Sequence, residues 1–259
     1  MTYNLSDGVA IITGGGSGIG KAVAKRLGAE GCKVALWDVN TEGLQSVAAE
    51  LRGKGVTVTT QRVDVSDLDV VRSALERTIA ELGAPPTILV NSAGIRGEVA
   101  SILESTPEGF ETTMRINVRG SYNTCLAIAP LLVERKRGTI VNIASWAGKR
   151  ARTDSLAYSS SKFAVIGITQ SMALDLAKHG VRVNAVCPGI IDGTAMRKQS
   201  DSGYSAKSLP DASDRVKQIP LGRMGVPEEV ANAVAYLVSD ESAYMTGQAI
   251  NVTGGLWLS

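Results

Sequence analysis

The sequence predicts an α/β fold, a single doubly wound domain over residues 1–259 in which a seven-stranded, mainly parallel sheet carries helices on both faces. Two observations predict it. Short apolar, β-branched runs alternate with longer amphipathic stretches through most of the chain, the order that parallel strands joined by crossover helices require. Nothing along the chain resembles a linker, and with 44% hydrophobic and 20% charged residues a sizeable core is available.

The candidate strands are Val9–Thr13, Lys33–Asp38, Val56–Val63, Thr87–Asn91, Gly138–Ala144, Val181–Cys187 and Gln248–Val252. Helical patterns lie between them at 18–30, 41–53, 67–82, 107–135, 157–179 and 227–238. Several end at a glycine, Gly31, Gly53, Gly83 or Gly180, the residue that most easily adopts the left-handed turn closing a helix. Residues 189–226 break the pattern with Gly193, Gly203, Pro210, Pro220 and mixed charges, and a loop of that length in a compact domain is expected to be a lid over a substrate.

Composition narrows the function. A net charge of +2 from 27 basic and 25 acidic residues spread along the chain gives no pull toward nucleic acid or an anionic membrane. No run approaches the ~20 apolar residues of a membrane helix. The first residues, Met1 to Asp7, lack a basic leader and a cleavage pattern, so a cytoplasmic enzyme is expected. Cys32, Cys125 and Cys187 are separated and set among apolar neighbours, as buried free thiols of a reducing compartment would be. The one histidine, His179, closes a helix before Gly180, an exposed terminal-turn position. A Ser-His-Asp triad and a histidine-rich metal site are both disfavoured, and acid/base chemistry must come from another residue type.

The first strand runs into Thr13-Gly14-Gly15-Gly16-Ser17-Gly18-Ile19-Gly20 and then a helix. Glycines alone make only a turn. Between a strand and a helix they let a pyrophosphate approach the backbone and the free amides of the helix N-terminus, the arrangement of a Rossmann-type domain. The second strand ends in Asp38, eighteen residues beyond Gly20, where a carboxylate can accept hydrogen bonds from an adenosine ribose and repel a 2′-phosphate. No Arg or Lys stands at 15–17 or 37–41 to counter that repulsion, so NAD is expected over NADP. A solvated strand-end charge is the bland alternative for Asp38.

Further along stand Asp64-Val65, Asn91-Ser92-Ala93-Gly94, Asn117, Ser145, Tyr158-x-x-x-Lys162 and Pro188-Gly189, with thirteen residues from Ser145 to Tyr158. With the glycine arrangement Gly14-x-x-x-Gly18-x-Gly20, these resemble the short-chain dehydrogenase/reductase family over nearly the whole chain. The resemblance implies a cofactor site of Gly14, Ser17, Gly18, Ile19, Gly20, Asp38, Asp64, Val65, Asn91, Ala93, Gly94, Tyr158, Lys162, Pro188, Gly189, Ile191 and Thr194. It implies a catalytic set of Asn117, Ser145, Tyr158 and Lys162, with Asn117 holding a water that relays protons to Lys162, and a homotetramer built on the helices at 107–135 and 157–179 and on the C-terminal segment. The apolar Trp257 and Leu258 are consistent with burial against a partner.

The chemistry agrees with the pattern. Tyr158 and Lys162 sit one helical turn apart on one face. A tyrosine pKa of ~10 must fall for the phenol to act as a base near neutrality, and a neighbouring ammonium and the positive nicotinamide ring both push it down. Ser145, at the end of the fifth strand, can hydrogen-bond the reacting oxygen.

The substrate signal is weaker. Pocket positions read Ile95-Arg96-Gly97-Glu98, Trp146 to Arg152 and Ile190 to Lys198, which is unusually polar, and the chain has only two phenylalanines. A polyol, sugar or small hydroxy acid, or the matching ketone, is expected rather than a steroid, with Arg96, Ser145, Ala147, Arg152 and Tyr158 at the substrate. Arg96 and Arg152 are the arginines expected to meet an anionic group, although each could instead face solvent or a neighbouring subunit. Gly193 stands five residues after Pro188 where the family pattern has Thr, and Thr194 follows, so the contact of Thr194 with the nicotinamide amide is open. This form, like the C-terminal segment from Gly254 to Ser259, resembles some sugar-alcohol dehydrogenases of the family. A 3-oxoacyl carrier-protein reductase using NADPH shares most of the motifs, and Asp38 weighs against it. A dinucleotide-sensing protein without activity is opposed by the intact Ser145, Tyr158 and Lys162.

Overall fold

In the computed structural model, which describes residues 3–208 and 215–259, the strands are β1 (Val9–Thr13), β2 (Lys33–Asp38), β3 (Val58–Arg62), β4 (Ile88–Asn91), β5 (Gly138–Ile143), β6 (Val181–Pro188) and β7 (Ala249–Val252). They form one seven-stranded sheet in the order β3-β2-β1-β4-β5-β6-β7, and every pairing is parallel. The order reverses between β1 and β4, the switch point where such sheets open a crevice at their carboxyl edge. β1 and β5 are buried at every position, because both faces of the sheet are covered.

The helices are α1 (Gly18–Ala29), α2 (Thr41–Arg52), α3 (Leu68–Leu82), α4 (Pro107–Met114), α5 (Gly120–Glu134), α6 (Leu156–Leu176), α7 (Ala195–Ser205) and α8 (Pro227–Val238). On one face Val23, Leu27, Leu44, Leu51 and Val234 pack on Ile12, Leu36 and Val141. On the other Leu75, Ile128 and Leu132 pack on Ile11, Trp37, Leu89 and Ile140. Local chemistry sets several boundaries. Asn40 caps α2, its side chain accepting from Gly43 N at 3.1 Å, and Asp67 caps α3, accepting from Asp69 N and Val70 N. α3 stops at Gly83, whose φ of 70° is the left-handed region.

The structure departs from the sequence reading in three places. The pattern at 107–135 is not one helix: a π-type turn, Arg115–Arg119, interrupts it between α4 and α5. The stretch 189–226 is not irregular throughout, since it contains α7, capped by Thr194, whose hydroxyl accepts from Arg197 N at 3.0 Å. Pro210 lies outside the described residues, as do Met1 and Thr2. Cys32, Cys125 and Cys187 are buried free thiols. His179 is partly buried rather than exposed, in the terminal turn before β6 and away from the carboxyl edge.

A chain of buried polar groups ties the sheet to the helices on one side. Thr124 Oγ1 of α5 donates to Asn91 Oδ1 at 2.7 Å, Asn91 Nδ2 donates to Asn142 Oδ1 at 2.9 Å, and Asn142 Nδ2 donates to Thr169 Oγ1 of α6 at 2.9 Å. Asn91 and Asn142 are paired in register on β4 and β5. Fully satisfied, such a network fixes α6 against the sheet. Broken, it leaves buried groups without partners. Replacing Asn142 by Leu removes the oxygen acceptor of the Asn91 amide and the donor to Thr169 Oγ1, leaving them Cys125 Sγ and the Val165 carbonyl, and chemical denaturation should show a loss of about 1–3 kcal/mol. A loss below ~1 kcal/mol would mean the network contributes little.

Candidate active site

At the head of the crevice β1 turns sharply into α1. Gly14 has φ +66°, and a Cβ there would lie 2.9 Å from Ala93 N, while a Cβ at Gly20 would collide with the Gly14 carbonyl oxygen. Thr13, 1% exposed, accepts from Ser92 N and Ala93 N, each at 3.0 Å, so its hydroxyl holds the loop after β4 against the glycine turn. Ser17 at the N-terminus of α1 makes no side-chain cap, leaving the first-turn amides to face an incoming anion. Asp38 Oδ2 accepts from Gly16 N and Oδ1 from Asn40 N, each at 3.0 Å, which fixes the carboxylate beside the glycine turn. Asp64, exposed at the far wall, accepts from Ser66 N at 2.9 Å and Ser66 Oγ at 2.7 Å. Burial pushes its pKa up, but these bonds and Arg115 outweigh it and hold the carboxyl below its usual range.

The cleft of ≈380 Å³ brings together Gly14, Ser17, Gly18, Ile19, Gly20, Asp38, Asp64, Val65, Ala93, Gly94, Pro188, Gly189, Ile191 and Thr194 with Ser145, Tyr158 and Lys162. These residues fit a dinucleotide. The glycine cradle leaves no room for a Cβ, helix amides await a pyrophosphate, and a fixed carboxylate stands at the ribose position. Thr194 forms part of the wall facing Gly18, but its hydroxyl is used in capping α7.

Ser145 lies one residue past Ala144, beyond the end of β5, and its Oγ accepts from Ala147 N at 3.1 Å in a short turn, Trp146–Gly148. Tyr158 and Lys162 stand on the first turns of α6. Lys162 is 5% exposed, its Nζ donates to the Ile143 carbonyl at 2.8 Å and lies 5.8 Å from the centre of the Tyr158 ring, and burial lowers its pKa to about 8. Burial raises the Tyr158 pKa above the ordinary tyrosine value, and the opposing influences are a hydrogen bond with Ser145 and the charges of Arg96 and Arg152. The two arginines add to the lysine and nicotinamide charges expected from the sequence. Its ammonium is turned to a backbone carbonyl, while the Arg96 guanidinium stacks 5.0 Å from the ring centre. The Tyr158 hydroxyl faces Met196 Sδ of α7 at 3.8 Å.

Two expected residues do not line the cleft. Asn91 is spent in the network described above, since its side chain points into the core between β4, β5 and α5. Asn117, 1% exposed in the π-type turn, clamps the loop after β4: Oδ1 accepts from Ile95 N at 2.8 Å, and Nδ2 donates to Ile95 O and Ser161 Oγ at 3.0 Å. Its side chain therefore holds α6 and the loop in register rather than reaching the cleft.

At the opposite end Ala147, Arg96 and Arg152 line the cleft as expected, joined by Ser155, Met196, Arg197 and Ser200. Arg96 is 4% exposed and crosses the site: Nη2 donates to Ser155 Oγ at 2.6 Å, Tyr204 OH at 3.1 Å and Asp154 O at 3.3 Å. Arg152 lies over the rings of Trp146 and Tyr204, at 5.2 and 5.5 Å. Tyr204 was not found from the sequence, because α7 gave no strong periodicity. The only local signal is Thr194 three residues before Arg197, a cap without an apolar run behind it. Among the described residues no group of three His, Cys, Asp or Glu side chains is gathered as a metal would need, and no helix is long and apolar enough to cross a membrane.

Comparison with known proteins agrees with this geometry. A family model described as enoyl-(acyl carrier protein) reductase matches residues 14–257. The chain is 35% identical to a 3-oxoacyl-[acyl-carrier-protein] reductase of Thermotoga maritima over 96% of its own length and 97% of the relative's. It is 37% identical to 2-(S)-hydroxypropyl-CoM dehydrogenase 3 of Xanthobacter autotrophicus over 99% of both chains. The crystal structure of an NAD+-bound xylitol dehydrogenase superposes with a TM-score of 0.92 at 32% identity, covering 98% of this chain and all of that one. The glycine turn, the fixed carboxylate, the Ser145, Tyr158 and Lys162 constellation and these likenesses together show that the chain belongs to the short-chain dehydrogenase/reductase family of oxidoreductases.

Proposed function

We propose that this protein is an NAD-dependent alcohol dehydrogenase acting on a small polar secondary alcohol, a polyol, sugar or hydroxy acid, with Tyr158 as the proton acceptor. The observation that carries this is the placing of Tyr158, Ser145 and Lys162 in the same cleft as Asp38, with Arg96, Arg152 and Arg197 among the side chains at the substrate end. A bound nicotinamide dinucleotide supplies the hydride acceptor. The protein does the rest: Asp38 accepts from the adenosine ribose, the α1 amides receive the pyrophosphate, and Ser145 holds the substrate hydroxyl against Tyr158. Lys162, charged below about pH 8, lowers the cost of the phenolate once a positive ring is near. α7, whose Met196 covers the Tyr158 hydroxyl, is the moving part of the lid. Tyr122, Leu126 and Phe163, exposed apolar side chains on α5 and α6, support a homotetramer built on those helices.

A second reading, a 3-oxoacyl-thioester reductase using NADPH, is favoured by the name of the Thermotoga relative. Cofactor choice separates the two. Replacing Asp38 by Asn removes a charge that repels a 2′-phosphate, and the ratio of kcat/KM for NAD over NADP should fall by about 10²-fold, like-charge juxtaposition costing several kcal/mol. Wild-type turnover with NADPH and acyl thioesters, and none with NAD, would put the second reading in place of the first.

Removing the phenolic oxygen tests the proton acceptor. Tyr158→Phe should lower kcat by about 10²–10⁴-fold, the usual worth of a positioned acid or base, with the Kd for NAD measured by fluorescence within about twofold of wild type. Turnover near the wild-type rate would remove Tyr158 from the role.

Lys162 also predicts a pH dependence of stability. Its folded pKa of about 8 lies below the 10.5 of an ordinary lysine, so the unfolded chain binds the extra proton between those values and stability should rise with pH across that window. Lys162→Met should flatten this rise in urea titrations. An unchanged slope would mean the lysine is not held against its charge.

A further inference from the structure

The substrate end of the cleft holds positive charge, at Arg96 and Arg152, that no carboxylate of the described residues neutralises. Arg96, Arg152 and Arg197 line it. Arg197 pairs with Asp201, whereas among the described residues no carboxylate forms an ion pair with Arg96 or Arg152. Arg96 is 4% exposed, and the three acceptors of its Nη2, Ser155 Oγ, Tyr204 OH and Asp154 O, are all uncharged. Its Nη1 is buried with no hydrogen-bond partner at all.

A guanidinium taken out of water without a counter-charge is strongly disfavoured, and stacking on aromatic faces offsets only part of that. Arg96 has such faces on both sides, Tyr158 at 5.0 Å and Tyr204 at 5.8 Å. Arg152 shares the Tyr204 ring and is itself driven down to a pKa of about 10 by burial, against Tyr204 and with Arg215, Arg96 and Arg197 repelling it. The Tyr204 hydroxyl responds in the opposite sense: burial would raise its pKa, but Ser155, Arg152 and Arg96 outweigh that and lower it. Each of these features is what an anion between the two guanidiniums would relieve.

We infer that the alcohol oxidised here carries an anionic group beside its carbinol, a short hydroxycarboxylate, with Arg96 Nη1 and Arg152 receiving the carboxylate and Tyr158 the hydroxyl proton. The closeness of Arg96 to the Tyr158 ring keeps the acid next to the reacting carbon, so a long spacer between them does not fit. The hydride leaves the carbinol carbon for the cofactor, the proton leaves its oxygen for Tyr158, and a ketone is formed with the carboxylate untouched. A free polyol leaves both arginines uncompensated, and a neutral thioester does the same. This inference rests on the dehydrogenase reading above and narrows its substrate.

The test has two arms. In the first, NADH formation by the wild-type protein is compared across an α-hydroxycarboxylate, a β-hydroxycarboxylate, a hydroxyalkylsulfonate and the uncharged diol of matching length. The acids should exceed the diol in kcat/KM by about 10- to 100-fold, the worth of a charge-assisted hydrogen bond. In the second, calorimetry follows malonate binding to the NAD-loaded protein, and Arg152→Gln and, separately, Arg96→Lys should each weaken it about tenfold or more. A preference for the sulfonate would uphold the anion site and overturn the choice of carboxylate. A diol used as well as the acids, with no malonate binding to the wild-type protein, overturns the inference and leaves the dehydrogenase reading standing. Arginine-dependent malonate binding without oxidation of any alcohol does the reverse. Because both wild-type measurements decide the matter, a variant that fails to fold does not.

Discussion

Ionising a phenol inside a protein is far more costly than in water, and the architecture of this cleft is organised around that cost. Tyr158 sits where burial holds its proton on. What makes deprotonation attainable is positive charge placed on several sides: Lys162 one helical turn away, Arg96 stacked on the ring, Arg152 across the substrate end. The lysine is fixed through its bond to the Ile143 carbonyl, and Arg96 through Ser155, Tyr204 and the Asp154 carbonyl. In the proposed reaction Tyr158 is a base protonated at rest that ionises only when cofactor and substrate complete its surroundings, which protects it from idle chemistry.

Holding those cations within a few ångströms requires α6 to be placed accurately against two neighbours. The asparagine and threonine network through β4 and β5 fixes it from the sheet side. Asn117, turned inward by a π-type turn, fixes it from the loop side through Ser161 and Ile95. Gly148 adds a steric condition, because a Cβ there would lie 2.6 Å from the Lys162 carbonyl oxygen. The local π geometry is a common sign that function has displaced ideal helix packing.

Much of this was legible in the sequence, for identifiable reasons. Period and glycine punctuation located all seven strands, since β-branched runs buried on both faces read as continuous apolar stretches. The glycine turn, Asp38, Ser145, Tyr158 and Lys162 could be assigned because each is fixed by short-range geometry: a turn, a strand end, one helical turn. The inward turn of the Asn91 side chain was not legible, because a polar residue at a strand end looks the same whether it faces a ligand or a buried partner, and its partner Asn142 lies 51 positions away. Tyr204 and the helix α7 within the expected lid were missed for a related reason. α7 buries few of its residues, so it carries little apolar periodicity, and Tyr204 meets Ser155 and arginines distant in the chain. Arg96 and Arg152 were visible as charges, but only the three-dimensional arrangement shows that neither has a carboxylate partner among the described residues.

The most direct test of this account is a spectroscopic titration of the phenol itself, following phenolate absorbance with pH in wild type and Tyr158→Phe, each with and without saturating NAD. The difference between the two proteins reports Tyr158 alone. The account predicts that in the cofactor-free protein this tyrosine ionises above an ordinary tyrosine, and that NAD moves the transition down toward neutrality. A difference signal that titrates at the ordinary value and is unmoved by NAD would contradict it.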